Sequence, residues 1–162
     1  MLVEFIQDAF FAAIAAIGFA AISNPPKRAY LYCALIAAIG HSVRFLMMHE
    51  SLFGMHIVAA STIASLIIGV LAVLFSPIVK TPAETCLFPS LLPMIPGIYA
   101  YKTFGGLLMC LSHSAEADFE HYFYLFANNG LTCMFILLGM VVGATIPIFL
   151  MKDISFQATR WK

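Results

Sequence analysis

The fold is decided by residues 53–75, which read FGMHIVAASTIASLIIGVLAVLF. This stretch contains no Asp, Glu, Lys or Arg, and it is long enough to cross a bilayer as a helix, which takes about 20 mainly apolar residues. On both sides of residues 53–75 the chain has further mainly apolar stretches of similar length. The sequence therefore predicts five membrane spans, at 3–22, 29–48, 53–75, 86–111 and 123–151.

Composition supports an integral membrane protein. Hydrophobic residues make up 62% of the 162 residues and charged residues only 10%, whereas soluble domains average about 45–50% and 25%. A small soluble domain has too much surface to hide that much apolar area, which excludes a soluble enzyme and a disordered chain. We therefore predict an all-α integral membrane protein with one transmembrane domain over 1–162, a bundle of about five helices.

The charged residues predict an orientation but no nucleic-acid binding. Eight Lys and Arg balance eight Asp and Glu, so no basic field exists to attract a polyanion. With five spans, Lys27, Arg28 and Lys80 fall on the same side as the basic tail 152–162. Basic loops stay cytoplasmic, so the N-terminus is predicted outside, and the C-terminus, with the interfacial anchor Trp161, inside. Segment 112–122 is predicted as an acidic outer loop rather than a metal site.

The start of the chain is predicted to be a retained first helix. A signal peptide begins with basic residues, whereas Glu4 and Asp8 flank the start of this apolar stretch.

Small residues recur at every fourth position in three spans. This spacing favours close helix packing in membranes. The positions are Ala12, Ala16 and Ala20; Ser61, Ser65 and Gly69; and Gly139 and Gly143.

The fourth span is predicted to be broken by prolines. Pro93, Pro96 and Gly97 interrupt it, and each proline removes a backbone donor and clashes with an earlier carbonyl. Transporters use such breaks to bind substrate, because a half-helix N-terminus attracts an anion. We favour this interpretation over a simple packing kink, with Tyr99 and Tyr101 as hydrogen-bonding walls of the site.

Charged residues within the spans are the other site candidates, since a charge at helix centre costs about 2.5–3.5 kcal/mol. His41 and Arg44 are three apart, so they share a helix face and together suit a carboxylate. The alternative for Arg44 is a side chain reaching the outer headgroups. Lys102 is an anion-ligand candidate and Asp8 a proton-coupling candidate, although the sequence favours interfacial positions for both.

Enzyme templates are absent from the sequence. It has no Gly-x-Ser-x-Gly, His-Glu-x-x-His or glycine-rich phosphate loop. The four cysteines lack metal-ligand spacing and are predicted to be buried apolar residues. We therefore predict that the chain is not an enzyme and needs no cofactor or metal. By elimination of nucleotide-driven transport, a proton gradient is the expected energy source.

Three motifs together resemble the threonine/serine exporter family. They are NPPKRA at 24–29, GHSVR at 40–44 and LPMIPGIYAY at 92–101. Within that family the chain is similar to small membrane subunits of bacterial two-component exporters associated with succinate efflux. The resemblance covers nearly the whole chain and implies an inner-membrane exporter with a larger partner subunit. Lys102 has no counterpart in the motif that we can assign.

Two functions remain open at this stage. The first is the small subunit of an exporter for a small carboxylate, either a succinate-like dicarboxylate or threonine or serine. The second is a non-transporting subunit that stabilises or anchors a larger membrane protein. The odd number of predicted spans and the lack of an internal repeat favour a complex, with a larger subunit or as an oligomer, over a transporter of one chain.

Overall fold

The computed structural model describes residues 2–112 and 116–155, and within them the protein is helical. The predicted anchor Trp161, together with His113, Arg160 and Lys162, lies outside the described residues. Within the described residues seven α-helices and a short 3-10 turn follow one another. They are α1 (Leu2–Ser23), α2 (Lys27–Met48), α3 (Ile57–Val79), α4 (Glu84–Leu91), the 3-10 turn (Leu92–Met94), α5 (Gly97–Ser112), α6 (Glu116–Leu150) and α7 (Lys152–Ser155).

Four of these helices are long and apolar enough to cross a membrane: α1, α2, α3 and α6. The predicted break in the fourth apolar segment is confirmed. That segment forms α4, the 3-10 turn and α5, and α5 resumes at Gly97, directly after Pro96. Because α4 has 8 residues and α5 has 16, neither reaches the length of a spanning helix. That residues 1–162 form one transmembrane domain stays a prediction.

Two helices have boundaries that differ from the sequence prediction by four residues or more. Helix α3 begins and ends four residues later than expected and includes Pro77. Membrane helices tolerate an internal proline, and α3 ends instead at Val79, before Lys80, whose backbone is left-handed with φ of 58°. Helix α6 begins at Glu116, so the predicted acidic loop is wrong over 116–122. Glu116 and Asp118 lie in its first turn, where acidic side chains stabilise the helix dipole.

The described chain divides into two compact units. The first takes in the chain up to Met94 and again from Gly139, and the second is Ile95–Leu138. In the first unit, α1 contributes a buried stripe of Ala12, Ala16 and Ala20 to the core. These three alanines are the packing face of α1 that the sequence predicts, so that prediction is confirmed.

The predicted Gly-x-x-x-Gly contact in α6 is also confirmed. A side chain at Gly139 would collide with Thr62, and one at Gly143 would collide with Ser65. From the other side, a Cβ at Gly69 would lie 2.7 Å from the carbonyl oxygen of Ala144. Helices α3 and α6 therefore touch through backbone at these positions, as small residues permit in a membrane.

The second unit pairs α5 with the first half of α6. Gly106 is buried there, and a Cβ on it would lie 2.8 Å from the backbone nitrogen of Phe126. Gly130 lies against Thr103 in the same way, with a Cβ distance of 3.2 Å to its methyl group. This unit thus has its own close helix contact.

Candidate functional site

Three of the predicted site residues meet in the first unit. Asp8 lies on α1, while His41 and Arg44 lie one turn apart on α2. Asp8 Oδ2 is 3.2 Å from His41 Nδ1, and Arg44 Nη2 is 3.4 Å from that same nitrogen. We call these three side chains the charge cluster. The shared helix face was readable from the sequence, whereas the contact with Asp8 required the packing of α1 on α2.

Arg44 also holds the broken helix. Its Nη1 donates to the carbonyl oxygen of Met94 at 3.2 Å. Met94 is the last residue of the 3-10 turn and lies between Pro93 and Pro96. A carbonyl at such a break has lost its regular helical donor, and in hydrocarbon an unpaired carbonyl is costly. The guanidinium therefore joins two features that the sequence presented separately. The carbonyl of Met94 was missed because a backbone atom leaves no residue signal.

His41 forms one of two alternative hydrogen bonds through Nδ1. If Nδ1 carries a proton, it donates to Asp8; if it does not, it accepts from Arg44. One nitrogen cannot serve both neighbours at once. The other ring nitrogen, Nε2, is buried and has no hydrogen-bond partner within the described residues. His41 is 5% exposed, so this ring is committed to the interior rather than to water.

A cavity of about 340 Å³ opens beside the charge cluster. Asp8 and Arg44 line it, together with Phe45, Met48 and His49. Its volume lies within the range of small-molecule sites, and its walls combine one cation and one carboxylate with apolar surface. His49 was not among the predicted site residues. The sequence signal for His49 was its spacing. It follows Phe45 by four residues, about one helical turn, and is the residue directly after α2.

The residues around the break occupy different environments. Pro93 lies in the 3-10 turn, and Pro96 is buried directly before α5. Gly97 is the first residue of α5, and a Cβ there would meet no atom within 4 Å. Tyr99 is half-buried, whereas Tyr101 is 79% exposed. The substrate contacts expected of these residues stay a prediction.

Lys102 lies in the second unit, in a cavity of its own. This cavity has about 490 Å³ and is lined by Lys102, Gly105, Tyr122, Asn128 and Asn129, among others. Asn129 is buried and donates to the carbonyl of Leu125 at 2.7 Å. Lys102 itself forms no ion pair within residues 2–112 and 116–155, and its side chain is exposed. It thus lies among polar groups but is not held by them.

No metal site accompanies these clusters in the described part of the chain, where no three His, Cys, Asp or Glu side chains come together. All four cysteines are free thiols, and three of them are buried, as expected of small apolar residues. The part-buried charge cluster and the broken helix, in a bundle of apolar helices, define a multi-pass membrane protein with polar groups placed inside it, as in transport proteins.

The comparisons identify the family. Residues 8–150 match the family described as Threonine/Serine exporter, ThrE. An uncharacterized protein of Haemophilus influenzae is 35% identical over 148 residues, which cover 90% of this chain and 47% of that protein. No solved structure matches the chain.

The chain belongs to the threonine/serine exporter family, which is a family of membrane transporters. The resemblance found in the sequence motifs is therefore confirmed. The chain spans about half the length of the curated relative that it matches.

Proposed function

We propose that this chain is the small membrane subunit of an exporter in the bacterial inner membrane, and that it works with a larger subunit of the same family. The substrate is a small carboxylate, either a succinate-like dicarboxylate or threonine or serine. Family membership supports export. The matched region is 47% of the Haemophilus influenzae relative, so that relative carries a further part of the kind that a larger subunit would supply.

The observation that carries the proposal is the position of Arg44. Its guanidinium lies at the wall of the 340 Å³ cavity and is oriented by the Met94 carbonyl and by His41. A guanidinium held in this way presents its remaining donors to the cavity in a fixed fork, which matches a carboxylate. Phe45 and Met48 supply the apolar wall that a short carbon chain requires.

Asp8 is the residue to which we assign proton coupling. Its Oδ2 lies 3.2 Å from His41 Nδ1, and it lines the same cavity as Arg44. Gain or loss of a proton by this carboxylate would change the charge that a carboxylate substrate meets beside Arg44. A proton gradient would then drive export without a nucleotide.

The predicted orientation gives this cavity a place in the transport path. Asp8 lies near the start of α1 and Arg44 near the end of α2. With the N-terminus outside and the C-terminus in the cytoplasm, both lie towards the outer face, where an exporter releases its substrate. The basic residues Lys27, Arg28 and Lys80 lie towards the opposite face.

An efflux experiment tests the proposal. Cells lacking their own exporters are loaded with succinate, threonine or serine and express the chain alone, a candidate larger subunit alone, or both. Efflux only from the pair supports a two-part exporter and names its substrate. Efflux from the larger subunit alone contradicts a transport role for this chain.

A second candidate function is a non-transporting subunit that stabilises a larger membrane protein. One observation favours it: Arg44 satisfies a carbonyl of the break, which is a structural task that needs no substrate. The two functions differ in what surrounds the break. Ile95 and Ile98 are 47% and 70% exposed, so single cysteines placed there, in a chain without its native cysteines, report on it. Reaction of both with a polar thiol reagent in the assembled complex supports transport, and protection of both supports the stabilising role.

A further inference from the structure

A second polar pocket lies at the other end of the first unit, where the α1–α2 and α3–α4 connections meet. This loop pocket has about 490 Å³. Its polar wall is formed by Thr81, Glu84, Thr85 and Ser23, and its apolar wall by Phe88 and four prolines, Pro25, Pro26, Pro82 and Pro89. None of these residues was a site candidate from the sequence. By the predicted orientation the loop pocket faces the cytoplasm.

Two oxygen atoms of the loop pocket are buried without a partner. They are Glu84 Oε2 and Thr81 Oγ1, neither of which has a hydrogen bond within the described residues. Thr81 is 6% exposed. Buried polar groups are almost always hydrogen-bonded in folded proteins, and an exception calls for an explanation. For a carboxylate the cost of remaining unpaired is larger than for a neutral group.

Helix capping does not explain the two atoms. The spacing Thr81-Pro82-Ala83-Glu84 has the form of a capping box, in which each side chain would bond the backbone nitrogen of the other. The structure does not form it. The backbone nitrogen of Thr81 donates to Ser76 at 3.3 Å, and the residue preceding α4 is Ala83, with no side-chain cap. Both oxygens therefore lack a helix-capping partner, and both belong to residues that line the pocket.

Basic residues of the chain do not neutralise Glu84 either. Lys80 lies in the α3–α4 connection, and Lys27 and Arg28 begin α2, yet within the described ranges Glu84 forms no ion pair with any of them. A divalent metal is a poor match, because such ions prefer several carboxylate or carbonyl ligands and the pocket holds a single carboxylate. The volume is also far larger than a bare ion requires.

We propose that the loop pocket binds a small organic molecule through a primary ammonium group. Glu84 Oε2 and Thr81 Oγ1 accept two of its N–H bonds, and the hydroxyls of Thr85 and Ser23 are placed around it. The prolines and Phe88 contact its carbon chain. This site is distinct from the charge cluster in position and in chemistry, since it selects a cation where Arg44 selects an anion. Its occupancy does not depend on the exporter proposal.

Calorimetric titration of the full-length protein in detergent tests this site. The probes are ethanolamine and ethylene glycol, which share a hydroxyl and differ in the ammonium group, and neither carries a carboxylate that Arg44 could bind. Ethanolamine is expected to bind, and ethylene glycol is not. Glu84→Gln should weaken ethanolamine binding about tenfold or more, since a lost charged hydrogen bond costs about 1.5–3 kcal/mol. Glu50→Gln, at an exposed loop position, should leave it unchanged.

Two further variants make the result decisive. Thr81→Val keeps the shape of the side chain and should also weaken ethanolamine binding, which covers the case in which Glu84→Gln fails to fold. Arg44→Gln should leave ethanolamine binding unchanged, so failure of this site and failure of the exporter proposal are distinguishable. Equal binding of ethylene glycol, full binding by folded Glu84→Gln, or no binding of ethanolamine at millimolar concentration would overturn the proposal.

Discussion

The two units hold their cations in different ways. In the first unit, Arg44 is fixed by the Met94 carbonyl and by His41, beside the carboxylate of Asp8. In the second unit, Lys102 is exposed in an open cavity and has no ion-pair partner among the described residues. The sequence presents both simply as charges within apolar segments. The difference teaches that a charge inside a span acquires a defined role only when neighbouring elements supply partners for it.

Arg44→Gln gives the largest expected effect. Arg44 donates to the Met94 carbonyl, and losing a hydrogen bond to a charged group costs about 1.5–3 kcal/mol, so efflux by the assembled pair should fall about tenfold or more. Arg44→Lys should also be impaired, because an ammonium cannot reproduce the fork geometry. The matched control is Arg28→Gln, at the start of α2. Wild-type efflux from Arg44→Gln would remove the difference between the two units.

Gly143→Leu tests the packing of α6 against α3 in the first unit. Because a side chain there collides with Ser65 on α3, the change should lower the free energy of unfolding by about 1–3 kcal/mol or more. Thermal melting of the detergent-purified protein measures it. The control is Gly18→Leu, since a Cβ at Gly18 meets no atom within 4 Å. Equal melting of the two variants would contradict the backbone contact between α3 and α6.

His41→Gln tests the contacts within the charge cluster. The His41 ring is the hydrogen-bond partner that Asp8 and Arg44 share, and a typical hydrogen bond contributes about 0.5–1.5 kcal/mol. Succinate binding should therefore weaken about threefold to tenfold. Titration of succinate measures this, with His121→Gln as the control. Unchanged binding by folded His41→Gln would contradict an orienting role for His41.

Lys102→Gln should have a smaller effect than any change in the charge cluster. An exposed ammonium in an open cavity contributes about 0–1 kcal/mol, so efflux should fall by at most about fivefold. Lys27→Gln is the control for a general change of surface charge. A loss as large as that of Arg44→Gln would show that Lys102 binds substrate directly, as the sequence allowed.

Gly97→Ala is expected to change stability least. No atom lies within 4 Å of the added methyl group, so the free energy of unfolding should stay within about 0.5 kcal/mol of wild type. Efflux then tests the predicted site at the break directly. Normal efflux would remove Gly97 from the site, whereas lost efflux at unchanged stability would indicate substrate at the start of α5.

Much of the architecture was readable from the sequence, because a bilayer imposes a simple rule on chain composition. Long apolar runs mark α1, α2, α3 and α6, and small residues every fourth position mark where α3 and α6 touch. Prolines marked the break before α5. Boundaries were less readable where local signals conflict, as at Pro77, which lies inside the last turn of α3, and at Glu116, which starts α6.

The sequence by itself also determined that His41 and Arg44 share a face, because helical spacing is local. Only the tertiary structure decided that Asp8 meets them, that the Met94 carbonyl binds Arg44, and that Thr81 and Glu84 face a pocket without forming a capping box. These contacts join residues far apart in the chain or depend on backbone atoms that have no sequence signature. Composition and spacing determine helices, whereas partners for buried polar groups depend on how the helices pack.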